Sequence, residues 1–305
     1  MSRFYHALRE ASRQNAEGNP GDAGWAAVGI NNGRAPTPAD ANLSEPPVTA
    51  MPPREEPPIL SEGHEDAQAP IPPTNGSLGT TAKMALDQKA RVIPNMVDPV
   101  IVEHYRRLRT KLIQQQTAKP FRSLMVTSAG PQEGKSVTTL NLGLSFAMLP
   151  NFRVLVVDGD LRRGSLGKWL GVGNRPGLSN LLDGSAILED VVLKCDEIPI
   201  HFMVCGNSAL PAAELLQSAR SGNHFRRMCE EFSLVLVDSP PVNLITDAQL
   251  LAASCDAVLL VARAFTTTRK SFEKAAQDLQ PFRVVGTILN AGTSVQLYKR
   301  YHGYY

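Results

Sequence analysis

The sequence contains few cysteines and no long apolar run. Its four cysteines form no Cys-x-x-Cys pair and have no histidine at metal-ligand spacing, which argues against disulfides and structural zinc. This usage is typical of a reduced, cytosolic protein. The apolar runs are short, residues 257–262 being an example, so the sequence predicts neither a transmembrane helix nor a signal peptide. We therefore expect any membrane role to depend on a partner.

Composition divides the chain in two. Twelve of the 23 prolines lie in residues 1–73, and residues 1–80 carry five Lys or Arg against ten Asp or Glu. Such a segment buries too little apolar surface to offset the entropy of ordering, so we expect residues 1–90 to form a disordered arm. Residues 81–305 carry a net charge of +7, which does not by itself predict a nucleic-acid partner. Residues 1–14 have helical apolar spacing and form either a docking helix or a frayed terminus.

Residues 91–297 have the pattern of a folded α/β domain. Continuously apolar segments such as VLVV, LVLV and AVLLV alternate with segments of helical period. Such strands are covered on both faces, which predicts a doubly wound, mostly parallel sheet with helices on both faces. The predicted strands are 123–127, 153–157, 200–204, 233–237, 256–262 and 282–289; the predicted helices are 99–115, 134–149, 211–218, 220–231, 246–253 and 268–279, with shorter helical pieces between 165 and 193.

A loop of small and polar residues, SAGPQEGKS at 128–136, connects the first of these strands to a helix. It differs from G-x-x-x-x-G-K-[ST] in one letter, since Ala129 replaces the first glycine. Backbone N–H groups at a helix N-terminus bind phosphate, so we predict a nucleoside triphosphate site and a fold of the P-loop NTPase type. The alternative is an ordinary glycine-rich turn with a solvated Lys135. The predicted nucleotide contacts are Gly130, Pro131, Gln132, Glu133, Gly134, Lys135, Ser136 and Val137.

Two of the predicted strands end in carboxylates. Asp158 and Asp160 follow one strand, and Asp238 follows another. The carboxyl ends of parallel strands meet at one edge of a sheet, beside the phosphate loop. Because Mg²⁺ bound to ATP takes a few hard oxygen ligands and keeps several waters, Ser136 and these three aspartates are the predicted metal ligands. Taken singly, each aspartate is equally consistent with a helix cap or a turn.

Three motifs occur in the order found in a known family: SAGPQEGKS, VLVVDGDLRR and LVLVDSPP. They resemble the Walker A, second-carboxylate and Walker B motifs of bacterial protein-tyrosine kinases of the capsular and exopolysaccharide type. The resemblance covers residues 95–305. It implies a tyrosine autokinase that uses ATP and Mg²⁺, with Lys135 on the phosphates and Asp158 or Asp160 accepting the tyrosine proton, Asp158 being favoured. It also implies that Asn290 contacts the adenine.

A charged motif lies on the helix predicted at 99–115. Glu103, Arg106 and Arg109 follow the E-x-x-R-x-x-R spacing, which in the family mediates assembly into rings. Their positions at i, i+3 and i+6 place them on one helical face, where they are able to pair across a subunit boundary. Intrahelical pairs or solvated charges are the alternative. The resemblance therefore implies a homo-oligomeric ring.

Four of the six tyrosines lie in the last eight residues, at Tyr298, Tyr301, Tyr304 and Tyr305. A core aromatic set follows a strand or helix pattern, whereas this one ends the printed sequence among basic residues. We therefore predict that residues 298–305 form a flexible tail of phospho-acceptors. An aromatic tail packed on its own domain or on a neighbour is the alternative. In a ring, such a tail would be phosphorylated in trans.

The resemblance also implies partners and a location. It suggests control of polysaccharide synthesis or export together with an integral-membrane activator of the chain-length-regulator type, and a tyrosine phosphatase that reverses the modification. In some members the membrane part is fused ahead of the kinase, whereas residues 1–90 here are polar and rich in proline. The sequence therefore predicts the stand-alone form, a cytoplasmic kinase that a separate activator recruits to the inner face of the membrane.

Two other functions remain open at this stage. A partitioning or Min-type ATPase shares this fold, but such enzymes carry an extra lysine near the start of the phosphate loop, where this chain has Gly130. A non-catalytic nucleotide-binding adaptor is the second alternative. Retention of Lys135, Ser136 and three aspartates argues against it, although sequence does not measure turnover.

Overall fold

A computed structural model of the protein describes residues 78–84, 99–221 and 223–292, which form eight strands and nine helices. The strands are β1 (Thr80–Ala82), β2 (Ser123–Ser128), β3 (Val154–Asp158), β4 (Leu193–Cys195), β5 (Ile200–Met203), β6 (Leu234–Asp238), β7 (Ala257–Arg263) and β8 (Val284–Asn290). The helices are α1 (Pro99–Ala118), α2 (Lys135–Ala147), α3 (Leu166–Trp169), α4 (Leu178–Leu182), α5 (Leu188–Val191), α6 (Ala212–Ser221), α7 (His224–Glu231), α8 (Asp247–Ala252) and α9 (Arg269–Asp278).

The strands form one sheet in the order β1-β4-β5-β3-β6-β2-β7-β8. Neighbouring strands are parallel, except for β4 and β5, which pair in the antiparallel sense. The predicted doubly wound, mostly parallel sheet is confirmed. The order places β2, which leads into the phosphate loop, between β6 and β7, so the loop is flanked by the carboxyl ends of both neighbours.

Both faces of the sheet are covered, and this explains the unbroken apolar strands. All six residues of β2 are buried. Leu124 and Val126 join one core cluster together with Leu140 of α2, whereas Met125 joins the cluster on the opposite face together with Phe225 of α7. Since successive strand residues point to opposite faces, a strand covered on both sides requires an apolar side chain at nearly every position.

Helix α1 covers part of the first core through an apolar stripe. Leu108 and Leu112 are buried, and Tyr105 packs partly buried against the same cluster. The opposite face of the helix is polar. With 20 residues it is the longest of the described helices, and none of these has the length and apolar character needed to cross a membrane.

Two short strands were not predicted, and one of them corrects the proposed boundary of the arm. Residues 78–84 were assigned to the disordered arm at 1–90, yet β1 pairs with β4 at the edge of the sheet, and Ala82 and Met84 are buried. The arm assignment is therefore wrong for this segment. The remaining arm, including the docking helix at 1–14, and the tyrosine tail at 298–305 lie outside the described residues.

Candidate active site

The phosphate loop joins β2 to α2 through backbone conformations that favour glycine. Gly134 has φ 95°, and a Cβ atom built on it would lie 1.9 Å from the side-chain nitrogen of Asn290. This residue therefore has to be glycine for two independent reasons. The Thr138 N–H donates to the Gly134 carbonyl at 2.8 Å, so α2 begins immediately after the loop. The first N–H groups of a helix have no intrahelical partner, which leaves those of Lys135, Ser136 and Val137 directed at the loop.

Three hydrogen bonds hold the outer part of this loop from one side. The Arg263 guanidinium donates to the Gln132 carbonyl at 2.9 Å, and the Asn290 amide donates to the Glu133 carbonyl at 3.0 Å. The Thr267 hydroxyl donates to the Glu133 carboxylate at 2.6 Å, in a contact that is fully buried. Pro131 and Gln132 are exposed, whereas Glu133 is buried. Glu133 therefore anchors the loop from within.

On the other side, the loop is joined to the segment that follows β6. The Thr127 hydroxyl donates to the Pro240 carbonyl at 3.0 Å, and the Val242 N–H donates to the Ser128 carbonyl at 2.9 Å. The Ser128 hydroxyl in turn donates to the Gly130 carbonyl at 2.7 Å. These contacts fix the position of Asp238 relative to the phosphate loop.

Asp158 and Asp238 form a buried carboxylate pair at the carboxyl ends of β3 and β6. They are aligned with each other in the parallel register, and both are fully buried. One oxygen of Asp158 accepts a hydrogen bond from the Leu166 N–H at 2.8 Å. Within the described part of the chain, its other oxygen and both oxygens of Asp238 make no hydrogen bond of normal geometry, although the Ser136 hydroxyl lies near Asp238. Buried anionic oxygens of this kind are costly unless a cation or a proton satisfies them.

The pKa values of the pair reflect this environment. Burial, and to a smaller extent the neighbouring Asp238, raises the pKa of Asp158 to about 7. Burial also raises the pKa of Asp238, to about 6, although the nearby Lys135 ammonium and Ser136 hydroxyl oppose the shift. Both carboxyl groups therefore titrate close to neutral pH, which is a property of groups that transfer protons or exchange a cation.

Asp160 is placed differently. Its carboxylate accepts from the Arg163 N–H at 3.2 Å, and its carbonyl accepts from Gly164 at 2.9 Å. It thus stabilises the turn after β3. The preceding residue, Gly159, lies so close to the end of β6 that only glycine fits. A Cβ atom there would lie 2.6 Å from the Asp238 carbonyl oxygen. The turn-forming interpretation fits Asp160, whereas Asp158 keeps one oxygen available.

The arrangement suits a magnesium-bound triphosphate. It combines the helix N-terminus, Lys135, the Ser136 hydroxyl and unpartnered carboxylate oxygens. Among the described residues, however, no three His, Cys, Asp or Glu side chains converge closely enough to hold a metal ion. A cation at this point would complete its shell with phosphate oxygens and water, as Mg²⁺ normally does. The residues therefore fit Mg²⁺ held jointly with a nucleotide.

An ion pair that the sequence did not reveal connects the loop after β3 to the segment after β6. Arg162 binds Asp247 in a bidentate manner, at 2.6 and 3.1 Å, and Asp247 is buried at the start of α8. Arg162 lies two residues after Asp160, and Asp247 lies on the segment that follows Asp238. The two partners are 85 residues apart in sequence, so no local pattern pointed to the pair.

We expect Asp247→Asn to destabilise the protein by about 1 kcal/mol, because the neutral amide loses the charge-assisted contacts while the half-exposed Arg162 recovers part of its energy from water. Chemical denaturation would measure this change. Glu273→Gln is the matched control, since Glu273 pairs with Arg269 at the same 2.6 Å but on an exposed helix face, and we expect a smaller change there. Equal changes in the two variants would contradict a structural role for the buried pair.

Of the three residues predicted for oligomerisation, Glu103 and Arg109 make contacts within the subunit, and Arg106 is exposed. Glu103 pairs with Arg107 at 3.2 Å, which is the intrahelical alternative. Arg109 donates to the Ser145 carbonyl near the end of α2, where a cation complements the helix dipole. Burial lowers the pKa of Arg109. The side chain of Arg106 is exposed.

Comparison with known proteins shows to which family the chain belongs. No family model matches the chain. Tyrosine-protein kinase CpsD of Streptococcus agalactiae is 32% identical over 212 residues, which make up 66% of this chain and 89% of CpsD. The chain belongs to the bacterial tyrosine-protein kinase family. The resemblance that rested on three motifs therefore extends over nearly the whole length of a relative.

Other relatives differ from this kinase in length. Tyrosine-protein kinase ptk of Acinetobacter johnsonii is 31% identical over 195 residues, but these make up only 26% of ptk, so the chain spans about a quarter of that protein. Among solved structures, the kinase domain of Escherichia coli tyrosine kinase ETK is 31% identical with a TM-score of 0.59, covering 65% of this kinase and 78% of that chain.

Proposed function

We propose that this protein is an ATP-dependent tyrosine autokinase that phosphorylates its own C-terminal tyrosine cluster. The observation that carries the proposal is the buried pair Asp158 and Asp238, whose unpartnered oxygens lie beside Lys135 and Ser136 at the phosphate loop. Membership of the tyrosine-protein kinase family supports phosphoryl transfer as the chemistry. The reaction converts ATP and a protein tyrosine to ADP and a phosphotyrosine.

In this proposal the loop binds the phosphates and the carboxylates bind the cation. The backbone N–H groups from Gly130 to Val137 surround the phosphate chain, and Lys135 neutralises its charge. Ser136 and Asp238 hold Mg²⁺, with Asp158 and Asp160 contributing directly or through water. The cation supplies charge neutralisation on the transferred phosphate; phosphoryl transfer depends mainly on such positioning and electrostatic stabilisation.

Asp158 is the proposed general base. A tyrosine hydroxyl has an unperturbed pKa near 10 and is a poor nucleophile at neutral pH. Asp158 accepts its proton while the tyrosine oxygen bonds to the γ-phosphorus and the bond from that phosphorus to ADP breaks. Two properties favour Asp158 over Asp160: a free carboxylate oxygen and a pKa of about 7, close to the pH at which the reaction runs.

The acceptors are Tyr298, Tyr301, Tyr304 and Tyr305. The last described residue, Gly292, lies two residues after β8, and Asn290 at the end of that strand contacts the phosphate loop. The described part of the chain thus ends at the carboxyl edge of the sheet, where the site lies. We propose that the tail enters the site of a neighbouring subunit in a ring held by Glu103, Arg106 and Arg109. Phosphorylation adds nearly two negative charges per tyrosine and loosens the ring.

The proposed cellular role follows from the family resemblance. The kinase controls polysaccharide synthesis or export, works with an integral-membrane activator that recruits it to the inner membrane face, and is reversed by a tyrosine phosphatase. The first 14 residues are the proposed docking segment for the activator. No nucleic-acid partner is proposed.

A mixing experiment tests phosphorylation in trans. One variant carries all four tail tyrosines as Phe and keeps the wild-type site; the other carries Lys135→Met and an intact tail. We expect neither variant alone to incorporate label from γ-labelled ATP into tail tyrosine, and the mixture to label the Lys135→Met chain. The wild-type protein is the positive control, and phosphosite mapping by mass spectrometry identifies the acceptors.

Two results would contradict the proposal. Release of free phosphate without any phosphotyrosine in the wild-type protein would identify an ATPase. Label in wild-type chains but none in the mixture would place the transfer within a single chain.

A further inference from the structure

The loop between β7 and α9 displays a phenylalanine in an unusual position. Phe265 is 93% exposed, the most exposed of the large apolar side chains in the described part of the chain. Its backbone has φ 61°, in the left-handed region. A bulky aromatic residue rarely adopts this conformation, and strain of this kind persists only where the surrounding structure imposes it.

The surrounding structure holds the backbone on both sides of Phe265. The Ala264 N–H donates to the Asn290 carbonyl at 2.9 Å, which ties the loop to the end of β8. After Phe265, the Thr266 and Thr267 N–H groups donate to the Arg263 carbonyl at 3.2 and 2.9 Å. The aromatic ring is thus presented to solvent by a backbone that is fixed before and after it.

The same loop is attached to the phosphate loop. Arg263 binds the Gln132 carbonyl, Thr267 binds the Glu133 carboxylate, and the Arg263 N–H donates to the Thr267 hydroxyl at 2.7 Å. Phe265 lies between these two anchoring residues. Its position is therefore coupled to that of the loop predicted to bind phosphate.

The strand order indicates which part of a bound nucleotide faces this loop. The buried pair, Asp158 and Asp238, lies on β3 and β6, on one side of β2 and its phosphate loop, whereas β7 and β8 lie on the other side. The cation and the terminal phosphate belong with the carboxylates. The nucleoside end therefore extends toward β7 and β8, where Asn290 and Phe265 stand at the strand ends.

We propose that Phe265 is the residue on which the base of the bound nucleotide stacks, an assignment that rests on the proposed nucleotide site. An exposed aromatic face gains energy by stacking on a purine, and the fixed backbone lowers the entropy lost on binding. Phe265 thus acts on affinity for the nucleoside half of the ligand, while Lys135 and the helix N-terminus act on the phosphate half.

Calorimetric titration of the full-length protein separates the two halves of the ligand. The ligands are Mg²⁺-ATP and Mg²⁺ with inorganic tripolyphosphate, which has the phosphates but no base. We expect Phe265→Ala to weaken ATP binding at least about fivefold and to leave tripolyphosphate binding unchanged. Phe265→Tyr should retain ATP binding, since it keeps the ring. Ile187→Ala is the control, because Ile187 is an exposed apolar residue between α4 and α5.

Each other outcome overturns a specific statement. Unchanged ATP binding in Phe265→Ala would refute stacking and favour a protein partner at this side chain. Equal losses for ATP and tripolyphosphate would also refute it, since the substitution would then act through the phosphate loop. Equal affinity of the wild type for both ligands would refute the base contact and leave the phosphate site standing. Failure of the wild type to bind either ligand would refute the proposed function and this inference together.

Discussion

Lys135→Met is expected to lower tyrosine autophosphorylation about a hundredfold or more. The ammonium group is the only charged side chain of the phosphate loop itself that is able to neutralise phosphate, and removal of one preorganised charge or donor from a transition state commonly has an effect of this size. Its loss has a second consequence, because Lys135 opposes the rise in the pKa of Asp238. Without it, Asp238 would hold its proton to higher pH and bind Mg²⁺ less well at neutrality. The measurement is incorporation of γ-phosphate into tyrosine by the full-length protein.

The control for this substitution is Lys194→Met, which removes a lysine of the same length from an exposed position on β4. We expect this variant to keep wild-type labelling. If Lys135→Met retained more than about a tenth of the wild-type rate, the phosphate loop would not be the nucleotide site. The alternative of a glycine-rich turn with a solvated lysine would then be the correct interpretation.

Much of the site was predictable because it depends on local sequence. An unbroken apolar run ending in a carboxylate is the signature of a strand covered on both faces, so the positions of Asp158 and Asp238 followed from β3 and β6 alone. The alignment of the two residues followed from the parallel sheet. The small strands β1 and β4 had no such signature. β4 alternates a buried, an exposed and a buried residue at an edge, and β1 is three residues long, so neither has enough apolar character to be recognised.

The contacts between distant segments were not predictable. Arg162 with Asp247 and Thr267 with Glu133 join residues 85 and 134 positions apart, and nothing in either local sequence specifies the partner. The engagement of Arg162 with Asp247 is visible only in the folded chain. The backbone conformation of Phe265 was also not predictable from the sequence, since it results from contacts on both sides of the residue. Local sequence patterns therefore predicted where the candidate site residues lie. Tertiary contacts determine which of their side chains remain available for binding and catalysis.

Asp158→Asn is expected to abolish catalysis and to stabilise the fold. As the proposed general base, Asp158 accepts a proton that an amide does not, so tyrosine labelling should fall by roughly 10²–10⁴. The amide still offers an oxygen to the Leu166 N–H, which keeps the local structure. It also removes a buried carboxylate whose pKa is raised to about 7. Loss of activity combined with a gain in stability is typical of a functional group held in an unfavourable environment.

The pH dependence of this gain has a definite sign. The ordinary pKa of 3.8 applies in the unfolded chain, so between about pH 4 and pH 7 the folded state binds more protons than the unfolded state. The contribution of Asp158 to the free energy of unfolding of the wild type therefore falls as pH rises through this window. Asp158→Asn has no such proton, and its advantage over the wild type should widen by about 2–3 kcal/mol between pH 5 and pH 8. Chemical denaturation without Mg²⁺ or nucleotide measures both curves.

Asp196→Asn separates this effect from the mere loss of one negative charge, since Asp196 is exposed and its replacement should shift the wild-type curve by little at any pH. Addition of Mg²⁺-ATP should then stabilise the wild type more than Asp158→Asn, because the cation compensates the buried charge that only the wild type carries. Parallel pH curves for wild type and Asp158→Asn would show that Asp158 is ionised throughout this range. Its assignment as the proton acceptor near neutral pH would then lose its physical basis.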